Sequence, residues 1–269
     1  MLHGWMDVSA SFQFVVDALG DDWSIVAPDW RGYGLSAWSG ADCYWFPDYL
    51  ADLEAVLDAT VGDEPVTLIG HSMGANVAML YAGSRPARVR AVVNLEGVGL
   101  RTTRPSDAPG RYAQWLDQLK SGMDLRDYAT LDAVIERLQR TNPRLAFERA
   151  QFLAPHWAQQ ATDGRWRVAG DPSHRIINPT LYQIDEVLAC WAAIECPLLW
   201  IMAKDTEVLR HVAGSRDAAV AELERRRKVL RDVEAAEIDG AGHMVHHDQP
   251  DEVARLIEDF LRRHTAKVR

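Results

Sequence analysis

Residues 66–83, VTLIGHSMGANVAMLYAG, place a serine between two glycines at the boundary of two apolar segments. The first four residues are apolar or β-branched, which predicts a short strand buried on both faces. From Ala75 onward, small and apolar residues recur at helical spacing, which predicts a buried helix. Ser72 therefore lies on a sharp corner that leads from a strand directly into a helix.

Gly70 and Gly74 complete the pattern G-x-S-x-G around Ser72. Because glycine has no Cβ, the strand and the helix can approach each other closely at these two positions. A serine in this pattern, between a strand and a helix, is typical of a nucleophile elbow. The alternative is a serine with a purely structural role, and the strand–helix context favours the nucleophile.

The composition is that of an ordinary globular protein, with 269 residues of which 48% are hydrophobic and 25% are charged. The net charge of −10 argues against nucleic acid as a partner, since binding to phosphates requires clustered Lys and Arg. No apolar run is long enough for a membrane span, and no signal peptide is recognisable. Three cysteines without metal-like spacing, at positions 43, 190 and 196, predict reduced thiols in a cytoplasmic protein with no metal site.

Strand-like and helix-like segments alternate along most of the chain. Strands are predicted at about residues 23–27, 66–69, 89–95, 197–202 and 235–238, with helices at about 47–59, after Ser72, at 213–231 and at 251–263. This alternation predicts an α/β fold, a mostly parallel sheet with helices on both faces. Residues 1–98 and 193–269 form the predicted core.

Residues 99–192 interrupt the alternation with helical patterns and no strong strand. A helical insertion at the carboxyl edge of a parallel sheet lies where such sheets bind ligands, so we expect a cap or lid. Aromatic residues there and near the site predict an uncharged or hydrophobic small-molecule substrate, and the candidate binding residues are Trp5, Trp38, Trp115, Trp157, Trp166 and Trp191. The alternative is that the cap tryptophans only fill the cap's own small core.

A serine nucleophile needs a general base and a partner that orients the base. His243 follows the last predicted strand in a glycine-rich loop and is the expected base, with His246 and His247 as alternatives. The expected acid is Asp205, directly after the strand at 197–202, and its rival is Glu96, directly after the strand at 89–95. The expected oxyanion donor is the backbone N–H of Met73, the residue after the nucleophile.

These motifs together resemble the α/β-hydrolase superfamily, and two further stretches resemble its serine hydrolase-like group. The resemblance rests on His3-Gly4-Trp5, the segment DWRGYGLS at 29–36, Gly70-His71-Ser72-Met73-Gly74, Asp205 and Gly242-His243, and for the group on HGWMD at 3–7 and NPTLY at 178–182. It implies an eight-stranded, mostly parallel sheet, a Ser–His–acid triad, no cofactor, and the N–H of Trp5 as the second oxyanion donor.

The start of the chain departs from this resemblance. The superfamily has further strands before its His-Gly loop, whereas only Met1 and Leu2 precede His3 here. We therefore expect the N-terminal strands to be missing and the natural protein to carry about 20 to 30 further residues upstream, from the usual length of strands and turns.

The sequence thus predicts a serine hydrolase that cleaves carboxylic esters through an acyl-enzyme on Ser72. The same residues could serve a C–C bond hydrolase, a thioesterase, a lactonase or a perhydrolase, and a non-catalytic member could keep the pocket only for binding. The resemblance implies an aspartate at this position in a dehalogenase or an epoxide hydrolase, so Ser72 argues against these two activities. The oligomeric state is left open.

Overall fold

A computed structural model describes residues 1–265 and shows a parallel sheet between two layers of helices. The sheet contains β1, β2, β6 and β7 in that order, which are Val66–His71, Val89–Leu95, Leu198–Ala203 and Val233–Ile238. The core helices are α1 (Gln13–Ala18), α2 (Phe46–Thr60), α3 (Met73–Ser84), α7 (Ile184–Ala192), α8 (Arg216–Arg227), α9 (Val245–Asp248) and α10 (Pro250–Thr265). The predicted α/β fold is confirmed.

The two faces of the sheet bury two separate apolar clusters, as alternating side chains of a strand require. Leu68, Val92 and Trp200 pack with α2, α3, α7 and α8 on one face. Ile69 and Ile201 pack with α1 and α10 on the other. Helices therefore cover both faces, and the carboxyl ends of the strands are the edge left available for a site.

The main sheet is smaller than the resemblance implied. It has four strands within residues 1–265, whereas eight were expected. Leu2 lies beside β1 and forms a parallel bridge to Gly70, with its N–H donating to the carbonyl of Ile69 at 2.8 Å. The strand predicted at residues 23–27 is not formed. That segment contacts Met1, whose amino group donates to the carbonyl oxygen of Val26 at 2.6 Å.

The insertion contains α4 (Ala108–Ser121), α5 (Leu131–Thr141) and α6 (Phe147–Trp157), together with a small antiparallel sheet in the order β3, β5, β4. These strands are Asp127–Tyr128, Ala158–Gln160 and Trp166–Val168 for β3, β4 and β5, and the sequence did not predict them. Buried side chains of α5, α6 and their flanks, such as Val134 and Leu153, form a third apolar cluster. The cap thus has a core of its own.

The predicted boundary of the cap at residue 192 is corrected by α7. Its buried residues Val187, Leu188 and Trp191 belong to the cluster formed by α3 and the sheet. Because this helix closes one face of the main core, it belongs to the core, and the cap ends before Ile184.

No helix within residues 1–265 combines the length and the apolar character that a bilayer crossing requires.

Candidate active site

Ser72 lies between β1 and α3 in a backbone conformation that non-glycine residues rarely adopt, with φ 51° and ψ −112°. A Cβ on Gly70 would overlap the first turn of α3, and one on Gly74 would overlap the carbonyl oxygen of Leu2. The two flanking glycines therefore let the strand, the helix and the Leu2 segment meet at the serine. This strained turn presents the Ser72 hydroxyl at the carboxyl edge of the sheet.

His243 approaches Ser72 from the loop that follows β7. Its Nε2 lies 3.0 Å from the Oγ of Ser72, within hydrogen-bond distance. Two hydrogen bonds fix the loop: the Nε2–H of buried His71 donates to the carbonyl oxygen of His243 at 2.8 Å, and the N–H of Gly242 donates to Asp248 at 2.8 Å. His246 and His247, the alternatives to His243, instead lie buried on α9.

Glu96, directly after β2, is the carboxylate that contacts the histidine. Its Oε2 lies 3.2 Å from the Nδ1 of His243, and its side chain is fully buried. The N–H of Ala203 donates to Oε1 at 2.5 Å, and the hydroxyl of Thr206 donates to Oε2. Glu96 also has a positive φ of 61°, which turns its side chain out of the strand direction. Three donors from β6, the loop after it and His243 therefore hold one buried carboxylate.

Asp205, the expected acid, does not reach His243 and is corrected to a surface residue. Its carboxylate is 56% exposed and accepts a hydrogen bond from Arg144 at 2.8 Å. The reason is the turn after β6, in which the N–H of Lys204 donates to Ile238 at the end of β7 and the N–H of Asp205 donates to Ala241 in the loop after it. Thr206, one residue later, points toward Glu96 instead, and sequence reasoning missed it.

The loop His3-Gly4-Trp5 lies beside the serine, as the resemblance implied. A Cβ on Gly4 would come within 3.4 Å of the Cβ of Ser72 and 2.9 Å of the Nδ1 of His71. The indole N–H of Trp5 donates to the carbonyl of His174 at 3.2 Å, which ties this loop to the cap. Met73 is the first residue of α3, where a backbone N–H has no partner within the helix.

Two cavities meet at Ser72, and both are also lined by Trp5 and His243. One has a volume of about 650 Å³ and extends toward α5 and α6 of the cap. The other has a volume of about 540 Å³ and is lined by aromatic residues that sequence reasoning missed, namely Tyr44, Trp45, Phe46 and Tyr49. A substrate whose reactive carbon lies at Ser72 can therefore extend in two directions.

Only two of the candidate tryptophans line these cavities. Trp5 borders both, and Trp157 borders the larger one while its indole donates to the carbonyl of Met6 at 2.9 Å. Trp191 is fully buried against Trp200 in the main core, and Trp166 packs on the apolar cluster of the cap. Trp115 and the exposed Trp38 border neither cavity, so binding roles for these four are not supported.

A buried polar cluster lies behind the site. The donor atoms of Asp7, His246 and His247 lie within 4.8 Å of one another, close enough to hold a metal ion. Burial raises the pKa of Asp7 to about 6 and lowers the pKa of His247 to about 3, so the histidine is neutral at pH 7. Asp7 is already satisfied by the hydroxyl of Ser11 at 2.8 Å, and we assign no metal here.

A sequence profile described as the alpha/beta hydrolase family matches residues 1–256. The chain belongs to the α/β-hydrolase family. A serine hydrolase-like protein from Danio rerio is 30% identical over 268 residues, which cover 97% of this chain and 80% of that protein. Lipase LipV from Mycobacterium tuberculosis is 28% identical, with 88% of this chain and 83% of the lipase covered. Family and relatives support a hydrolase activity of the serine hydrolase-like kind.

The solved structures that resemble this hydrolase have the same fold. A hypothetical protein from Pseudomonas aeruginosa PAO1 superposes with a TM-score of 0.82 at 27% identity, and the match covers 97% of this chain and 89% of that one. The likeness extends over both the core and the cap.

Proposed function

We propose that this α/β-hydrolase cleaves carboxylic esters of small to medium hydrophobic substrates through an acyl-enzyme on Ser72. The observation that carries the proposal is the continuous hydrogen-bond chain from Ser72 through His243 to buried Glu96, at the point where two cavities meet. A nucleophile, a base within hydrogen-bond distance and a third group that orients the base are the parts that acyl transfer needs.

In the first half of the reaction, the Nε2 of His243 takes the proton of the Ser72 hydroxyl as the oxygen attacks the ester carbonyl carbon. Glu96 accepts the Nδ1–H of His243, which leaves Nε2 unprotonated and stabilises the imidazolium that forms. The oxyanion of the tetrahedral intermediate is bound by the N–H groups of Met73 and Trp5. Collapse of the intermediate breaks the ester C–O bond, and His243 protonates the departing alkoxide.

In the second half, His243 takes a proton from water, which attacks the acyl-enzyme and releases the carboxylic acid. Ser72 recovers its proton from His243 as its bond to the acyl carbon breaks. Glu96 replaces Asp205 as the acid in this proposal, because Asp205 is exposed and ion-paired with Arg144. No cofactor or metal enters either half.

The hydrophobic part of the substrate is inferred from the smaller cavity, which Trp45, Phe46 and Tyr49 line together with Ser72 and Val98. The lipase among the relatives also fits ester cleavage. A thioesterase, lactonase, perhydrolase or C–C bond hydrolase would use the same three residues, and a binding protein would not need them aligned. Three free thiols, Cys43, Cys190 and Cys196, support a reducing, cytoplasmic setting.

A fluorophosphonate probe tests the nucleophile. We expect it to label Ser72 stoichiometrically, and we expect Ser72→Ala to lose both the label and several orders of magnitude in ester turnover. A chain-length series of p-nitrophenyl esters, assayed with matched thioesters, separates esterase from thioesterase activity. Ser121→Ala, an exposed serine at the end of α4, is the matched control. Label on another serine, or full turnover by Ser72→Ala, would refute the proposal.

A further inference from the structure

The two cavities at Ser72 differ in charge. The larger cavity is bordered by four arginines, namely Arg126, Arg137, Arg140 and Arg175. They come from separate parts of the cap: Arg126 directly precedes β3, two lie one turn apart on α5, and Arg175 ends a short 3-10 turn before Ile176. Cap segments distant in sequence thus bring four arginines to the border of one cavity, in a chain whose net charge is −10.

None of these four guanidinium groups forms an ion pair with a carboxylate in the described residues 1–265, although many other arginines do. Arg137 donates to Thr141 on its own helix, and Arg175 donates to the carbonyl oxygen of Asp124 at 2.9 Å. A guanidinium has five N–H donors, so these contacts leave donors available to a ligand. Arg31, by comparison, donates from Nε and Nη2 to Asp52, and its Nη1 lies 3.6 Å from Asp48.

One carboxylate borders the same cavity, and it does not cancel this charge. Asp7 is buried beside Ser11, and burial raises its pKa to about 6, so at pH 7 it carries at most one negative charge against those of four arginines. The other cavity has no such excess: Glu207 pairs with Arg210 at its rim, and Glu96 is held by His243 and Thr206. Its remaining wall is largely apolar and includes the aromatic residues Trp5, Tyr44, Trp45, Phe46 and Tyr49. One cavity is therefore cationic, and the other is apolar and close to neutral.

We propose that the ester cleaved at Ser72 is amphipathic, with an anionic group that binds at Arg126, Arg137, Arg140 and Arg175 and an apolar group that binds in the aromatic cavity. The proposal rests on the proposed function and refines its hydrophobic substrate. Carboxylate and phosphate groups suit the planar fork of arginine, which binds two of their oxygens at once. Three of the four arginines are exposed, so each contributes modestly, and their combined field raises the local concentration of anions.

Kinetics with matched esters test the proposal. One pair is p-nitrophenyl hexanoate and mono-p-nitrophenyl adipate, which places a carboxylate on the acyl side. The other is p-nitrophenyl butyrate and 3-carboxy-4-nitrophenyl butyrate, which places it on the leaving group. In the double variant Arg137→Gln/Arg140→Gln, we expect kcat/KM for the anionic ester of at least one pair to fall by about 10-fold or more through KM. The neutral esters should change less than about twofold.

Two control variants separate charge from packing. Arg231→Gln removes one positive charge at an exposed position outside both cavities, and we expect it to leave both pairs unchanged. The double lysine variant Arg137→Lys/Arg140→Lys keeps the charge and should recover most of the loss. Added salt should weaken only the anionic ester. An equal loss for neutral and anionic esters, or no loss for either anionic ester, would overturn the proposal.

Binding to Ser72→Ala tests the cavity without any turnover. We expect 4-phenylbutyrate or phenethyl phosphate to bind at least about 10-fold more tightly than 4-phenylbutanol by calorimetry, a difference that the double glutamine variant should remove. The better of the two ligands identifies carboxylate or phosphate. If esters are not hydrolysed but this preference holds, only the proposed function fails. If esters are hydrolysed and both anions bind no better than the alcohol, only the anion site fails.

Discussion

The ends of β2 and β6 carry one carboxylate each, and the two carboxylates have opposite surroundings. Glu96 follows β2, is fully buried and receives hydrogen bonds from Ala203, Thr206 and His243. Asp205 follows β6, lies mostly in solvent and pairs with Arg144. Although the two strands are neighbours in the sheet, only one of these side chains turns inward.

The same contrast separates the tryptophans. Trp191 is fully buried between α7 and the sheet, whereas Trp157 borders the larger cavity with its indole bound to Met6. In both comparisons the residue type is alike and the surroundings decide its effect. A buried group acts on stability or on its hydrogen-bonded partners, and a group on a cavity wall acts on what binds there.

The largest effect expected from this comparison is on turnover. We expect Glu96→Gln to lower kcat by about 10³- to 10⁴-fold, because an amide cannot hold the charge that orients and stabilises the imidazolium. Asp205→Asn is the matched variant and should change kcat less than about threefold, since it removes only an exposed ion pair. Steady-state hydrolysis of p-nitrophenyl esters measures both. The reverse ranking would return the acid to the end of β6.

The tryptophans are compared by stability and selectivity. Trp191→Ala should lower the free energy of unfolding by about 3–5 kcal/mol, because it leaves a large cavity in the main core. Urea unfolding measures this loss. Trp157→Ala should instead change the preferred ester chain length and keep turnover of short esters. Equal stability losses with unchanged chain-length preference in both variants would show that Trp157 is also only a packing residue.

A third carboxylate, Asp7, tests what burial does without a cationic partner. Its folded pKa of about 6 lies above the ordinary value of 3.8, mainly through burial, with a smaller opposing effect of Ser11. The folded state therefore holds the proton more tightly, and ionisation of Asp7 lowers stability as the pH rises from about 4 to about 6. Asp7→Asn should thus gain stability relative to the natural chain across this range, by at most about 3 kcal/mol.

Urea unfolding at several pH values between about 4 and 8 measures this difference. The buried His246 and the charges of Asp29 and His243, which face Asp7, are present in both proteins and cancel to first order. Asp205→Asn is again the control, with a change below about 1 kcal/mol because its carboxylate is exposed. A difference between Asp7→Asn and the natural chain that stays constant with pH would contradict the expectation.

The smallest effect belongs to Thr206, whose hydroxyl donates to Glu96. Thr206→Val keeps the shape and removes one of the donors, and we expect kcat to fall about 10-fold, the value of one hydrogen bond to a charged group. Thr60→Val, at the exposed end of α2, is the matched control. An unchanged kcat would mean that Ala203 and His243 suffice to position the carboxylate.

Local sequence patterns were sufficient for much of this protein. The apolar run before Ser72 and the alanine-rich run after it predict β1 and α3. Both elements are buried, and the spacing of their apolar residues can be read over a few positions. The two glycines predict the turn, and the loop after β7 predicts His243 beside the serine. The strand, the helix and the turn depend on neighbours within a few residues, which a sequence displays directly. His243 was expected from the order of the motifs, and it contacts a serine 171 residues away.

Only the tertiary structure shows that Glu96, and not Asp205, contacts His243, since both carboxylates follow an apolar strand. The choice depends on a positive φ at Glu96, on the turn after β6 and on donors that lie more than 100 residues away. The core position of α7 and the convergence of four cap arginines on one cavity likewise depend on contacts between segments that are distant in sequence. The sequence by itself determined the fold and the turn that presents Ser72, through local periodicity and turn chemistry. The identity of the carboxylate that contacts His243, and the shape and charge of the cavities, came from packing between distant segments, which no local pattern encodes.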